Sequence, residues 1–112
     1  MSDTIFGKII NREIPADIVY EDERCLAFRD VNPQAPVHIL VIPKAPIARL
    51  SDIESNQQEL LGYLLLKLKE IAEQEDISDY RVVINNGANA GQSVFHLHLH
   101  LLAGRAFDWP PG

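Results

Sequence analysis

The run His96-Leu97-His98-Leu99-His100-Leu101-Leu102 alternates imidazole with leucine. A β-strand sends successive side chains to opposite faces, so the spacing predicts a strand over 96–102. It would carry His96, His98 and His100 on one face and Leu97, Leu99 and Leu101 on the other. The leucine face is suited to packing on a helix, which leaves the imidazole face to line a cleft. The only other histidine in the chain is His38. Imidazole is the side chain best fitted to nucleophilic, acid–base and metal chemistry near neutral pH, so a row of three on one face points to a site.

Working outward from that run, the loop Asn86 to Ser93 leads directly into it and contains Gly87 and Gly91. Tyr80 to Asn85, rich in β-formers, predicts a strand before the loop. Further upstream, about Asn56 to Gln74 predicts the one long helix. Its apolar stripe is Leu60, Leu61, Leu64, Leu65, Leu68 and Ile71. Lys67, Lys69, Glu70 and Glu73 cover much of its other side. A turn-rich link, Lys44 to Asp52, joins that helix to the continuously apolar His38 to Pro43, which predicts a central strand covered on both faces. Asn32 to Pro36 breaks the pattern as a loop. Ile18 to Glu21 and Cys25 to Arg29 read as short strands joined by a polar turn at Asp22-Glu23. Thr4 to Asn11 predicts a short opening helix, with Ser2, Asp3 and Thr4 as candidate caps and Pro15 ending the segment. The expected fold class is α+β, with a five-stranded, mostly antiparallel sheet, one long helix and one short helix.

A length of 112 residues predicts one domain spanning 1–112. The net charge of -6 argues against an extended nucleic-acid surface, which needs clustered Lys and Arg. A single nucleotide needs only a local anion site and is not excluded. No run of about 18 apolar residues is present, so no membrane span is expected. The opening Met-Ser-Asp-Thr-Ile-Phe lacks the pattern of a signal peptide. Cys25 is the only cysteine, so neither an internal disulfide nor a CxxC zinc pair can form, and a cytoplasmic setting is expected.

Three readings compete for the histidine row. As a metal site it is awkward, because i and i+2 on a strand stand roughly 7 Å apart and i and i+4 roughly 13 Å. A third histidine on a straight strand reaches a shared ion poorly, and no metal or other cofactor is expected. As plain core it is expensive, since each buried imidazole needs a partner. As a catalytic row it is coherent. A neutral imidazole attacks through its unprotonated nitrogen while an acceptor holds the other, and neighbouring imidazoles can bind an oxyanion or protonate a leaving group. Gly91 lets backbone N–H groups approach an anion, and Ser93 supplies a hydroxyl. The residues themselves lead to phosphoryl or acyl chemistry at His98.

Gly91-Gln92-Ser93-Val94-Phe95 followed by the histidine run strongly resembles the histidine triad signature, His-φ-His-φ-His-φ-φ with φ apolar. Thr4 to Ile10, Glu13-Ile14-Pro15, Phe28-Arg29-Asp30, Pro33 to Pro36, His38 to Pro43 and Trp109-Pro110-Pro111-Gly112 extend the resemblance to the histidine triad nucleotide-binding branch. The resemblance implies a homodimer in which the two sheets join into one. It also implies a purine nucleoside phosphoramidase that cleaves the P–N bond of adenosine 5′-monophosphoramidates and related aminoacyl adenylates, releasing AMP. By position, His98 resembles the nucleophile that forms a nucleotidyl-histidine. His100 would contact the phosphate and assist the leaving amine. His96 would orient the site, its carbonyl holding the second nitrogen of His98. Ser93 would donate to the phosphate or leaving group.

The same resemblance assigns substrate binding to Asp30 (ribose hydroxyls), Asn85, Gly91 and Gln92 (phosphate side), and Val31, Phe28, Phe6 and Ile9 (purine walls). His38 would support the site, and Trp109 would lie near the partner subunit's site. Zinc-binding members of the family carry additional Cys and His ligands that this chain lacks. Transferase relatives have Gln where His100 stands. Hydrolysis of dinucleoside polyphosphates, and nucleotide binding with vestigial catalysis, remain as alternative activities.

Overall fold

A computed structural model describes residues 3–112. Ser2, one of the candidate caps, lies outside them. Thr4 caps the first helix, α1 (Ile5–Ile10), its hydroxyl oxygen accepting from the Gly7 N–H at 3.1 Å. Five strands follow: β1 (Ile18–Glu21), β2 (Cys25–Arg29), β3 (Val37–Pro43), β4 (Tyr80–Val83) and β5 (Leu99–Ala103). The long helix α2 (Gln58–Gln74) sits between β3 and β4 in the chain. All neighbouring strands are antiparallel, in the order β1-β2-β3-β5-β4. The expected α+β architecture is the one observed, with β3 at the centre and buried along almost its whole length. Among the described residues no helix is long and apolar enough to cross a membrane.

Alternation divides the core into two layers. Cys25 and Ala27 of β2, Ile39 and Val41 of β3, and Leu97, Leu99 and Leu101 face α2, meeting Leu64, Leu68, Ile71 and Ala72. Leu26 and Phe28, Leu40 and Ile42 face the other way, toward Phe6 and Ile9 of α1. Phe6 and Ile9 fall three residues apart, so one face of a very short helix suffices to cover part of that side.

Several boundaries differ from the sequence reading. The strand β5 begins at Leu99 rather than His96. The β3–β5 ladder stops at the Val41–Leu99 pair. Beyond it, the Leu97 N–H bonds instead to the Ile47 carbonyl at 2.7 Å, and Pro43 offers no N–H to extend the ladder. His96 and His98 thus lie in an extended lead-in, although the alternation of faces carries through it. The strand β4 ends at Val83 rather than Asn85, and β3 starts one residue earlier than His38. Residues Ser55–Gln57 form a 3₁₀ turn ahead of α2. The apolar stripe of α2 is also narrower than its leucine content suggests. One sheet face takes only part of a helix circumference, so Leu65 and Leu66 remain 44% and 60% exposed.

Candidate active site

On the face opposite α2, a cavity of about 570 Å³ opens between α1, the ends of β2 and β3, and the Asn85–Val94 segment. Its volume falls within the range that holds small-molecule ligands. Ile5, Phe6, Ile9 and Phe28 contribute apolar wall, and Asp30, Asn85, Ser93, His98 and His100 contribute polar groups. A larger depression of about 740 Å³ lies between the end of α2 and the start of β4. Lys69, Glu73, Asp76 and Tyr80 line it, and no histidine does.

Backbone groups fix the proton position on each imidazole. Carbonyl oxygens only accept, so His98 Nδ1, 2.8 Å from the His96 carbonyl, must carry a proton. The neutral ring then leaves Nε2 unprotonated. By the same logic His96 Nε2, 2.7 Å from the Pro43 carbonyl, is protonated and Nδ1 is not. At His38 the order reverses. The Gln34 N–H donates to His38 Nδ1 at 3.0 Å, so the proton of the neutral ring sits on Nε2. That N–H donates to His100 Nδ1 at 2.9 Å, which places the His100 proton on Nε2. His100 Nε2 has no hydrogen-bond partner among the described residues, and neither has His96 Nδ1. His98 Nε2 therefore carries a lone pair and His100 Nε2 a proton, on two rings that line the cavity, although the His100 nitrogen itself is buried.

Ring packing holds this arrangement. Phe6 stands edge-on to His98 with centroids 5.0 Å apart, and the His98 and His100 centroids are 4.9 Å apart. Burial favours the neutral form of every ring. It lowers the pKa of His96 and of His98, against the opposing pull of the backbone carbonyls that accept from them. His38 is also lowered by burial, partly offset by the nearby Asp30 carboxylate. His100 falls to about 4, through burial first and then the neighbouring His98 and His38. All four rings are thus neutral at physiological pH, as a nucleophile and a directional donor require.

Most of the residues singled out in the sequence converge here. Asp30 sits with one carboxylate oxygen 3.5 Å from His38 Nε2, while the other accepts from the Asn32 N–H at 2.9 Å. Gly91 has φ +104°, a conformation that favours glycine, and it lies beside the Asn85 amide. Phe6, Ile9, Phe28, Val31, Asn85, Ser93, His38, His98 and His100 all line the cavity. Val31 is 97% exposed, so it forms rim rather than wall.

Three of the expected residues do not line it. Gln92 is buried in the loop. Its amide donates to the Ala48 and Val94 carbonyls and accepts from the Gly87 N–H, so it braces the loop instead of meeting a ligand. His96 lies behind His98. Trp109 is 82% exposed in the tail. Sequence reasoning missed Ile5, Ile14, Ala16, Leu40, Val94 and Gln34 as lining residues. Leu40 was findable, since it falls two positions after His38 on the same strand face. The part Gln34 plays had no signal, because it acts through its backbone N–H.

Buried imidazoles of fixed tautomer beside a half-apolar cavity make this a candidate histidine-based site. Comparison with known proteins then names the family. Residues 11–107 match the HIT domain, and the chain belongs to that family. It is similar to a HIT family hydrolase of Legionella pneumophila, with TM-score 0.95, 48% identity and coverage of 98% of this chain and 100% of that one. A histidine triad nucleotide-binding protein of Candida albicans matches with TM-score 0.76 at 32% identity, covering 96% and 83% of the two chains. A 14 kDa zinc-binding protein of Zea mays is 57% identical over 99% of this chain and 89% of its own.

The last of these names raises the question of zinc. Asp30, His38 and His100 bring ligand atoms within 4.8 Å of one another, so a cluster exists, though not the row read from sequence. A neutral imidazole that binds metal through Nε2 carries its proton on Nδ1. Here His38 Nδ1 faces the Gln34 N–H, and a proton there would set two donors against each other. The cluster does not fit a zinc ion in this arrangement.

Proposed function

We propose that this protein is a purine nucleoside phosphoramidase. It would hydrolyse the P–N bond of adenosine 5′-monophosphoramidates and related aminoacyl adenylates, releasing AMP. The observation that carries the reading is the pairing of tautomers: an unprotonated His98 Nε2 and a protonated His100 Nε2 on two adjacent rings that line one cavity. In this account His98 Nε2 attacks phosphorus, a bond forms between them, and the bond to the amine breaks. The departing nitrogen takes up one proton, and one is released when water opens the nucleotidyl-histidine. Ser93 and His100 supply the hydrogen bonds that phosphoryl oxygens and departing nitrogen need. Asp30 accepts from the ribose diol, and Phe6, Ile9, Phe28 and Val31 flank the purine. His96 supports the nucleophile through its carbonyl, and no metal or other cofactor takes part.

A homodimer fits the same reading. The strand β4 is an edge of the sheet and leaves Val82 39% exposed, while Leu65 and Leu66 leave apolar surface on α2. Trp109 stands clear of its own cavity, as expected of a residue that serves the partner's. A cytoplasmic setting suits the lone thiol, Cys25, which burial pushes up to about 12.

The test is a panel run without added metal: a fluorogenic adenosine phosphoramidate, its guanosine counterpart and a dinucleoside polyphosphate. Fast turnover of the phosphoramidates, lost in His98→Ala, supports the assignment. Preference for the polyphosphate would replace it with the alternative hydrolase. AMP binding without turnover of any substrate would leave a nucleotide-binding module.

A further inference from the structure

Arg105 is exposed, yet among the described residues it pairs with no carboxylate in a chain of net charge -6. Its guanidinium is committed to carbonyls instead. Nε and Nη2 reach the Gln34 carbonyl at 3.3 and 3.1 Å, and Nη1 reaches the Ala106 carbonyl at 2.9 Å. The guanidinium lies over the Phe107 ring, 4.2 Å from its centroid, which limits the orientations it can take. The residue before it, Gly104, has φ +96°, and a Cβ there would come within 2.8 Å of Pro36. The turn after β5 is therefore pressed against the loop before β3 at two adjacent points.

That loop carries the N–H on which the cavity's donor depends. The Gln34 N–H occupies His38 Nδ1, His38 Nε2–H then points at His100 Nδ1, and the His100 proton is forced to Nε2. If the Gln34 N–H withdraws, His38 can carry its proton on Nδ1 and accept at Nε2. His100 then donates from Nδ1 and carries its lone pair on Nε2. An anion beside that nitrogen would meet repulsion in place of a hydrogen bond.

We propose that Arg105 is a positioning residue that holds Gln34 in place and so sets the tautomers of His38 and His100. Its consequence for catalysis rests on the phosphoramidase reading, but the tautomers can be measured without any substrate. The experiment is long-range ¹H–¹⁵N correlation on histidine-labelled protein, comparing wild type, Arg105→Ala and Arg105→Lys. In wild type all four rings show single tautomers. In Arg105→Ala the nitrogen shifts of His38 and His100 move toward averaged values. Those of His96 and His98, held by the Pro43 and His96 carbonyls, do not move. Lys restores part of the pattern, since it keeps one donor for the carbonyl. On a phosphoramidate substrate, kcat falls about tenfold while KM changes less than about twofold. Unchanged His38 and His100 shifts in Arg105→Ala overturn the proposal, and so does an equal disturbance of all four rings. If Arg105→Ala fails to fold, Arg105→Gln is read by the same criteria. A wild-type protein with no turnover defeats the phosphoramidase reading and leaves the tautomer test intact.

Discussion

Leu97 and His98 are chain neighbours, both almost fully buried, on opposite faces of the same sheet. Leu97 joins Leu99 and Leu101 under α2 in a layer of apolar side chains. His98 joins His38 and His100 on a face that α1 covers only in part, beside an open cavity. On the α2 face, burial is stabilising in itself, because it removes apolar area from water. On the histidine face burial carries a cost that hydrogen bonds must offset, and what it yields is directionality. Each ring there has a determined donor and acceptor, and two buried ring nitrogens, His96 Nδ1 and His100 Nε2, have no partner among the described residues.

The largest expected effect breaks the histidine side alone. His98→Asn removes the proposed nucleophile, and turnover should fall by about 10⁴-fold or more in steady-state assays, with Tm little changed. The converse, Leu99→Ala, empties a site of zero exposure in the α2 layer. It should cost roughly 3 kcal/mol in denaturant unfolding, while activity per folded molecule survives. The pH dependence of stability separates the faces further. The four histidines have folded pKa values below the ordinary value, His100 lowest at about 4. The unfolded chain binds more protons in that window, so stability is full above about pH 6.5 and declines as pH falls toward 4. A denaturation series across that range checks it, and replacing Leu99 should not alter its slope. Asp30→Ala is smaller again. It should raise KM about tenfold with kcat nearly preserved, the loss expected when a carboxylate no longer accepts from a bound ligand. If the proposed homodimer forms along β4, Val82→Lys is expected to yield monomer in light scattering, because a charge on an exposed edge strand opposes pairing.

How much of this was legible in the sequence follows the same division. The α2 face was readable from periodicity, because apolar packing depends on which side a residue points to and little else. Leu64, Leu68 and Ile71 are buried as their spacing requires. Leu65 failed because spacing gives a helix a stripe but not the width its neighbour can cover. The histidine face was readable as a set of residues but not as a set of protons. Nothing in the letters says that the Pro43 carbonyl meets His96 or that the Gln34 N–H meets His38, since these are backbone groups brought close by tertiary structure. The start of β5 was misplaced for a related reason. Side-chain alternation continues through His96 and His98, while the ladder hydrogen bonds do not. Gln92 was drawn toward the ligand by its place beside Gly91 and Ser93, yet a buried amide with three backbone partners has nothing left to offer one.

In the proposed reaction His98 Nε2, left unprotonated by the His96 carbonyl, is the atom that takes the nucleotidyl group. The most direct measurement is peptide mapping by mass spectrometry after a rapid alkaline quench of the protein with an adenosine phosphoramidate. The account predicts an adenylyl adduct on His98, formed and lost at rates that match turnover. An adduct on His100 or Ser93, or full turnover by His98→Ala, would contradict it.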